Sequence, residues 1–266
     1  MKIAVLMKQV PDTDEVRMDE ERGTMIRDGV GGIVNPLDLN ALEAAMRIRR
    51  PSDPVDAVEI LSMGPPKAEE SLRECIALGA NRAVLATDAL FAGGDSWATS
   101  KVLVAALRKM GLPDLILAGE KATDGETGQV GPEVAAILGL PFATHVTRLT
   151  LSGDAVEVDC TLEEGVLTQR LPLPCVVTVL SDINTLPLPT LSGKKRAYAC
   201  EVEKYSAADL GLDEADAGLK ASPTRVVRID RPKVARTAEK YLAKRAEELE
   251  AGLERIVTIL EDASLI

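Results

Sequence analysis

The sequence "LILAGEKATDGETGQVGPEVAAIL", residues 115–138, is the most informative about the fold. An apolar run ends at Gly119, a polar loop with several glycines follows, and a helix-like pattern begins near Pro132. Open parallel sheets bind ligands where loops leave the carboxyl ends of strands, and a helix N-terminus offers N–H groups to an anion. The loop has neither the GxGxxG nor the Walker A spacing. It therefore predicts either a site for a nucleotide or other anion, or an ordinary tight turn.

Upstream of this stretch, apolar runs alternate with segments of helical periodicity. The predicted strands are 2–7, 55–64, 82–87 and 113–119, and the predicted helices are 35–50, 67–79, 95–111 and, after the loop, 131–140. Asn35 or Asp38 is placed to cap the first helix. The alternation predicts an α/β fold, an open, mostly parallel twisted sheet with right-handed connections and helices on both faces.

The pattern changes after the loop. Residues 143–182 alternate with period two around turn signals at 152–154 and 164–165, which predicts antiparallel strands that return to the sheet through 175–180. Residues 186–192 are expected to form a proline-bearing surface loop.

The C-terminal segment predicts a protruding amphipathic helix over 235–261. Its apolar positions repeat at threes, fours and sevens; they are Leu242, Leu249, Leu253, Ile256 and Leu260. The helix lies either on a partner or back on its own sheet. We therefore expect an α/β nucleotide-binding domain over 1–212 and a C-terminal arm over 213–266.

The composition and the net charge argue against several classes of function. Of 266 residues, 46% are hydrophobic but only 2% aromatic, which suits aliphatic parallel strands covered by helices. The net charge of −11 argues against binding to nucleic acid or to an anionic membrane surface. The apolar run at the N-terminus is too short, and charged residues follow it too early, for a signal peptide. No apolar run approaches the ~18 residues of a membrane span. A cytoplasmic location is expected.

The cysteines give little support to a metal site. None forms a CxxC pair, so buried reduced thiols are the simpler interpretation; the four are Cys75, Cys160, Cys175 and Cys200.

Three features bear on catalysis. "FAGGDSWATSKVL", 91–103, is similar to the SGGxDS loop of ATP pyrophosphatases, but Ala92 replaces the serine and one residue is missing before Asp95. A helix start capped by Asp95 or Ser96 is the alternative.

The only histidine, His145, has no acid, Ser or Cys partner nearby in sequence, so a structural role is expected. Without a catalytic dyad or triad, the chain suits a protein whose cofactor carries the chemistry, or a nucleotide-sensing module.

Five motifs in order resemble the β subunit of electron transfer flavoproteins, over nearly the whole chain to about Arg228. They are "MKIAVLMKQVPD" (1–12), "VNPLDLNALEAA" (34–45), "MGPPKAEESLRECIALGA" (63–80), "DSWATSKVLVAAL" (95–107) and "AGEKATDGETGQVGP" (118–132).

The resemblance implies a heterodimer with an α subunit that carries FAD. The β subunit holds AMP in ordinary members and a second FAD in electron-bifurcating members, which include a nitrogen-fixation-associated branch. That FAD accepts hydride from NADH and sends one electron to ferredoxin or flavodoxin and the other to the α-subunit flavin. The α-subunit flavin serves an acyl-CoA dehydrogenase or a quinone oxidoreductase.

Several segments favour the bifurcating branch. "NPLDLNALEAA" is similar to that branch's NPxDxxALE pattern, and "DGETGQVGP" to its DGDTAQVGP, with Glu126 for Asp and Gly128 for Ala. "KYSAADLGL" and "SPTRVV" also resemble that branch. The stretch "INTLPLPTL", 183–191, lacks the Asn-Glu-Pro-Arg pattern with which ordinary members recognise acyl-CoA dehydrogenases. We expect a bifurcating subunit with FAD; the alternative is a non-bifurcating subunit with structural AMP.

The resemblance also implies the cofactor contacts, all of which follow strand ends. Adenosine contacts are expected from Leu6, Met7, Lys8, Asn35, Leu37, Asp38, Met63 and Gly64, phosphate contacts from Lys121, Asp124, Gly125, Glu126, Thr127, Gly128, Gln129 and Val130, and proximity to the isoalloxazine from Asp95 through Thr99. The absence of an acidic side chain at Gly125 removes bulk and charge, which favours a diphosphate.

Overall fold

The structure is a computed structural model that describes residues 1–12, 17–19, 24–26, 31–48, 57–227, 242 and 244–266. The chain divides into two compact units, Met1–Arg228 and Ile229–Ile266. The first unit contains the sheet, and the second contains the C-terminal helix.

Up to residue 140 the structure contains the predicted strands and helices in the predicted order, and the chain also has short elements that the sequence did not predict. The strands are β1 Lys2–Leu6, β2 Gln9–Pro11, β3 Arg17–Asp19, β4 Thr24–Ile26, β5 Gly32–Val34, β6 Ala57–Met63, β7 Arg82–Ala86, β8 Leu115–Gly119, β9 Phe142–Ser152, β10 Ala155–Leu162, β11 Gly165–Pro172, β12 Cys175–Val179 and β13 Glu203–Tyr205. The helices are α1 Pro36–Ile48, α2 Glu69–Leu78, α3 Ser96–Met110, α4 Val130–Leu138, α5 Leu191–Ala199, α6 Ala207–Leu210, α7 Gly218–Ala221 and α8 Ala246–Asp262.

The main sheet has nine strands in the order β11-β10-β9-β12-β8-β1-β6-β7-β13. From β9 to β13 in this order every neighbouring pair is parallel, and β10 and β11 add an antiparallel hairpin at one edge. The predicted mostly parallel sheet with an antiparallel portion is therefore confirmed. Two small antiparallel pairs, β2-β5 and β3-β4, lie outside it.

Helices cover both faces of this sheet, as predicted. One apolar cluster contains residues of α1, α2 and α5, and the other contains residues of α3 and α4. The sequence of β8 is continuously aliphatic because both faces of the strand are covered by helices. Its residues Leu115, Ile116 and Leu117 are all fully buried.

The order of connections creates a gap at the carboxyl edge of the sheet. The chain runs from β1 to β6 and β7 on one side, then crosses back to β8 on the other side of β1. Strands β1 and β8 pair only as far as Val5 and Leu117. A crevice at such a switch point is where open α/β sheets bind ligands.

The segment 186–192 departs from prediction, because the loop ends earlier than expected. The Thr190 hydroxyl accepts the Gly193 N–H at 3.0 Å and caps α5, which begins at Leu191.

The C-terminal helix is shorter than predicted. It begins at Ala246, and the backbone is not helical at 242, 244 and 245, whereas 235–241 and 243 lie outside the described residues. Arg245 is extended, with φ −130°, which places the helix start just after it. No described helix has both the length and the apolarity needed to cross a bilayer.

Candidate functional site

The Asp38 carboxylate bridges the gap between β1 and β8. It accepts the N–H of Lys8 at 2.8 Å and the N–H of Gly119 at 2.9 Å, two donors that follow or end the diverging strands. Burial raises the pKa of Asp38 to about 6, against the opposing effect of hydrogen bonds from Lys8, Asn35 and Gly119. The Asp38 carboxylate therefore lies at the base of the crevice and binds both strand ends. The sequence had suggested instead that Asp38 could cap α1.

Gly119 is required where β8 meets this carboxylate. A Cβ there would lie 2.6 Å from Asp38 Oδ1 and 2.6 Å from Leu37 Cβ. A side chain would push the carboxylate and the first turn of α1 away from the strand end.

Asn35 fastens the loop after β8 to the start of α1. Its fully buried amide donates to the Lys121 carbonyl at 3.0 Å and accepts the Thr123 N–H at 3.2 Å. The Asn35 carbonyl accepts the N–H groups of Asp38 and Leu39 and so begins α1 with main-chain bonds. Its side chain is thus used for the loop, not for the helix cap that the sequence suggested.

Lys8 places a positive charge under this loop. Its Nζ lies 2.6 Å from Asp124 Oδ1, and the Asp124 side chain is only 3% exposed whereas that of Lys8 is 42% exposed. A Cβ added at Gly125 would lie 3.9 Å from the same Nζ, an ordinary contact. The ammonium group therefore borders open space beside Gly125.

The far end of the loop turns back towards β8 before α4 begins. Glu126 and Gly128 have φ of 50° and 62°, and a Cβ at Gly128 would lie 2.9 Å from Glu120 Oε1. Lys121 Nζ lies 3.8 Å from Glu126 Oε1, and Thr127 is exposed between these turns.

Helix α4 starts at Val130 without a side-chain cap from Gln129. Its first N–H groups carry the positive end of the helix dipole, which favours an anion. By contrast, Asp95 caps α3 by accepting the Ala98 N–H at 3.0 Å, as the sequence predicted.

The start of α3 contacts the loop directly. Ser96 Oγ lies 3.0 Å from Gln129 Oε1 and donates to Glu133 Oε1 at 3.0 Å. The Asp95 carboxylate also accepts the N–H and hydroxyl of Thr224, so the segment after α7 is fastened over this helix start. Thr99, half-buried one turn on, completes the expected group near α3.

The remaining expected adenosine contacts lie on neighbouring strand ends. The side chains of Leu6 and Met7 are buried in the two opposite cores, so a ligand in the gap meets their main chain. Met7 N–H donates to Leu61 O, and Gly64 N–H donates to Ala86 O, which aligns the end of β6 and half-buried Met63 with β1.

Sequence reasoning missed the acid partner of the only histidine. His145 Nε2 lies 3.6 Å from Glu120 Oε1, although the two residues are far apart in sequence. The one available signal was the position of Glu120 directly after an apolar strand.

The cysteines and acids of the described residues do not form a metal site. Cys75, Cys160 and Cys175 are buried free thiols, as expected, whereas Cys200 is only partly buried. In the part of the chain that the structure describes, no three His, Cys, Asp or Glu side chains are grouped so that they could hold a metal ion.

Comparison with known proteins identifies the family of the chain. The electron transfer flavoprotein domain family matches residues 22–210. The chain is 41% identical over 257 residues to electron transfer flavoprotein subunit beta of Thermoanaerobacterium thermosaccharolyticum, covering 96% of this chain and 98% of that protein. It is 42% identical over 228 residues to caffeyl-CoA reductase-Etf complex subunit CarD of Acetobacterium woodii, covering 86% and 87%. It is also 41% identical over 240 residues to protein FixA of Azorhizobium caulinodans, covering 87% and 85%. Since the family match spans most of the chain and these relatives align with most of its length, the chain belongs to the electron transfer flavoprotein family as a β subunit.

Proposed function

We propose that this β subunit binds FAD in the gap between β1 and β8 and takes part in electron bifurcation. As a β subunit it pairs with an α subunit of the same family. The bound FAD supplies hydride acceptance from NADH and one-electron transfer to ferredoxin or flavodoxin and to the α-subunit flavin. The α-subunit flavin in turn serves an acyl-CoA dehydrogenase or a quinone oxidoreductase.

The observation that carries the proposal is the loop 120–129 held over the switch-point gap. Asp38 joins the two strand ends across the gap, Asn35 holds the loop against α1, and Lys8 places a cation beneath it. These groups fit an adenine nucleotide, since adenosine enters the gap and its phosphates meet the loop amides and the uncapped start of α4.

Space beside Gly125 supports a diphosphate over a monophosphate. The nearest atom to a Cβ at this position is the Lys8 ammonium, at 3.9 Å. The Lys8 ammonium already pairs with Asp124, so an acidic side chain at 125 would add a second negative charge beside it, whereas glycine leaves room there for a second phosphate.

The residues at the start of α3 orient the cofactor rather than move protons. The Asp95 carboxylate is held by Ala98 and Thr224, and the Ser96 hydroxyl donates to Glu133. Both groups are committed to hydrogen bonds that fix the helix start, so their contribution is a rigid wall beside the loop.

The alternative is a non-bifurcating subunit with structural AMP. The acidic character of the loop favours it, because Glu126 next to Gly125 is exposed and keeps a negative charge near the position of a second phosphate. The ion pair of Glu126 with Lys121 offsets only part of this charge, since both side chains are solvated.

Flavin stoichiometry of the purified αβ heterodimer distinguishes the two. We expect two flavins per heterodimer, measured by absorbance after denaturation and chromatography of the released nucleotides. One flavin together with released AMP would contradict FAD binding by this subunit and support the alternative.

Trp97 provides an independent test of where the isoalloxazine lies. It is the only tryptophan of this chain, lies in the first turn of α3 and is 40% exposed. FAD added to a heterodimer with an emptied β site is expected to quench the Trp97 emission, and AMP is not. The Trp97→Phe heterodimer, titrated in parallel, supplies the background; equal quenching with and without Trp97 would place the isoalloxazine elsewhere.

A further inference from the structure

His145 interrupts β9 beside the candidate site. It has a left-handed backbone, with φ 56°. Among residues other than glycine, such a conformation is uncommon and costs backbone energy. The pairing of β9 with β12 shifts register between Ala143 and Val146, and its pairing with β10 shifts just beyond, between Val146 and Arg148. At this position the imidazole lies 3.6 Å from the carboxylate of Glu120, the residue that follows β8.

Glu120 connects this imidazole to the phosphate loop. Its N–H donates to the Val179 carbonyl at 3.0 Å, which fixes its backbone at the end of β12. Its Oε1 lies 3.6 Å from His145 Nε2 and would lie 2.9 Å from a Cβ at Gly128. One carboxylate therefore contacts both the histidine and the turn in which the loop amides lie.

The other ionisable groups on the elements packed around β9 have partners other than His145. On α1, Asp38 accepts the N–H groups of Lys8 and Gly119, and Glu43 pairs with Arg47. Asp159 on β10 binds Arg148 and the Thr168 hydroxyl, and Asp182, after β12, accepts the Ser181 hydroxyl. Cys160 on β10 is a buried thiol, and Lys121 on the loop faces Glu126. Glu133 on α4 accepts hydroxyls from α3, and Thr144 Oγ1 lies 3.1 Å from His145 Nδ1. Within the described part of the chain, Glu120 is the one carboxylate within 4.0 Å of the imidazole.

We propose that His145 is a positioning residue that, through Glu120, makes the hold of the 120–129 loop on the cofactor pyrophosphate depend on pH. This rests on the proposed function of that loop. A protonated imidazole pairs with Glu120 and cancels a negative charge beside Gly128, whereas a neutral imidazole leaves that charge facing the phosphates. Histidine changes charge in the range of roughly pH 5 to 8, so FAD binds more tightly at the acid end.

The experiment measures FAD affinity of the αβ heterodimer, with its β site emptied by dialysis, by calorimetry at about pH 6 and about pH 8. FAD suits the test because its pyrophosphate diester binds no proton in this range. For the wild-type heterodimer we expect affinity about two- to fivefold higher at the lower pH, the size of effect of a partly exposed ion pair, and a smaller ratio in high salt. The His145→Asn variant keeps a residue type that tolerates a left-handed backbone. It is expected to show a smaller ratio of affinities between the two pH values than the wild type, the remainder coming from Asp38, whose pKa is about 6.

Glu120→Gln provides a second variant that keeps the size of the side chain and removes the charge. It is expected to bind FAD at about pH 8 more tightly than the wild type does at the same pH, approaching the wild-type affinity at about pH 6, because the negative charge beside Gly128 is absent. Circular dichroism of each variant checks that the sheet is intact. An unchanged pH ratio in His145→Asn, or a Glu120→Gln variant that binds FAD no more tightly than the wild type at about pH 8, would overturn the inference and leave the proposed function standing. No FAD binding by the wild-type β site at either pH would overturn the proposed function itself.

Discussion

At the scale of single residues, Asp38 carries the most unusual ionisation. Its folded pKa of about 6 exceeds the ordinary value of 3.8, because burial disfavours the charged form. The folded chain therefore retains the proton to higher pH than the unfolded chain. The stabilisation that Asp38 contributes is complete below its ordinary pKa of 3.8 and is lost as the pH rises to about 6. The shift corresponds to roughly 3 kcal/mol in the free energy of unfolding, at about 1.4 kcal/mol per pKa unit.

Urea unfolding of the full chain at stepped pH values measures this. Other carboxylates, such as Asp159 and Glu203, have lowered pKa values and give the opposite slope below their ordinary values. The contribution of Asp38 is therefore the difference between wild type and Asp38→Asn. Asp154→Asn is the matched control, since that side chain is 94% exposed. If Asp38→Asn and Asp154→Asn give the same pH profile, Asp38 does not titrate as inferred.

Two glycines of the site differ sharply in what a methyl group would meet. At Gly119 the added Cβ collides with Asp38 and Leu37, whereas at Gly125 it meets only Lys8 Nζ at 3.9 Å. We expect Gly119→Ala to lower the free energy of unfolding by about 1–3 kcal/mol, a typical cost of overpacking. Gly125→Ala is expected to change it by less than about 0.5 kcal/mol. Equal losses in urea titrations of the two variants would contradict the close packing at Gly119.

The sequence singled out two polar residues at the start of α1 without revealing what they contact. Motifs singled out Asn35 and Asp38, and a helix cap was the local interpretation available for both. Their actual partners, Lys121, Thr123 and Gly119, lie on a different strand–loop unit far along the chain. Local pattern cannot reveal a contact that exists only once β1 and β8 are neighbours.

At the scale of elements, long periodic segments were predictable and short ones were not. The end of α3 at Gly111 and the hairpin turns after β9 and β10 follow ordinary sequence signals. Helix α5 was missed because its helical signal is short and follows a proline-bearing segment, although Thr190 is an ordinary N-cap. Tertiary packing on α2 stabilises it, and local sequence does not carry that information.

The contact between α2 and α5 gives a prediction at this scale. A Cβ at Gly193 would collide with the Ala77 carbonyl, and Arg73 donates to the carbonyls of Ala197 at 2.7 Å and Cys200 at 2.9 Å. Glycine to alanine in a helix normally gains about 1 kcal/mol. Here we expect Gly193→Ala to lose about 1–3 kcal/mol, because the collision is with fixed backbone.

Amide hydrogen exchange of α5, together with urea unfolding, tests this contact. Lys195→Ala, on the exposed side of the same helix, is the control and should leave protection of the α5 amides unchanged. A more stable Gly193→Ala protein would mean that the two helices can separate at little cost.

At the scale of the whole molecule, the order of five motifs led to the family, and periodicity led to the sheet. The domain boundary at 212/213 and a cytoplasmic location stay predictions. The long C-terminal helix was predicted too early, because the apolar repeat begins at Leu242, which lies before the helix and is 80% exposed. An apolar repeat marks which residues can share a face, but it does not fix where the helix starts.

Helix α8 leads to the last prediction, on assembly. Its apolar stripe is unusually exposed within its own unit: Leu249, Leu253 and Ile256 are each 53–54% exposed. Apolar side chains contribute about 25 cal/mol per Å² when they leave water, so a stripe of this kind favours burial on a partner. We expect deletion of 235–266 to weaken association with the α subunit by at least about tenfold, the equivalent of ~1.4 kcal/mol, and to preserve cooperative unfolding of the sheet. Analytical ultracentrifugation and binding to the immobilised α subunit measure the affinity. Deletion of only 264–266, which leaves α8 whole, is the matched control. Unchanged affinity after the longer deletion would show that this helix does not contribute to the heterodimer, whereas loss of cooperative unfolding would show that the sheet needs it.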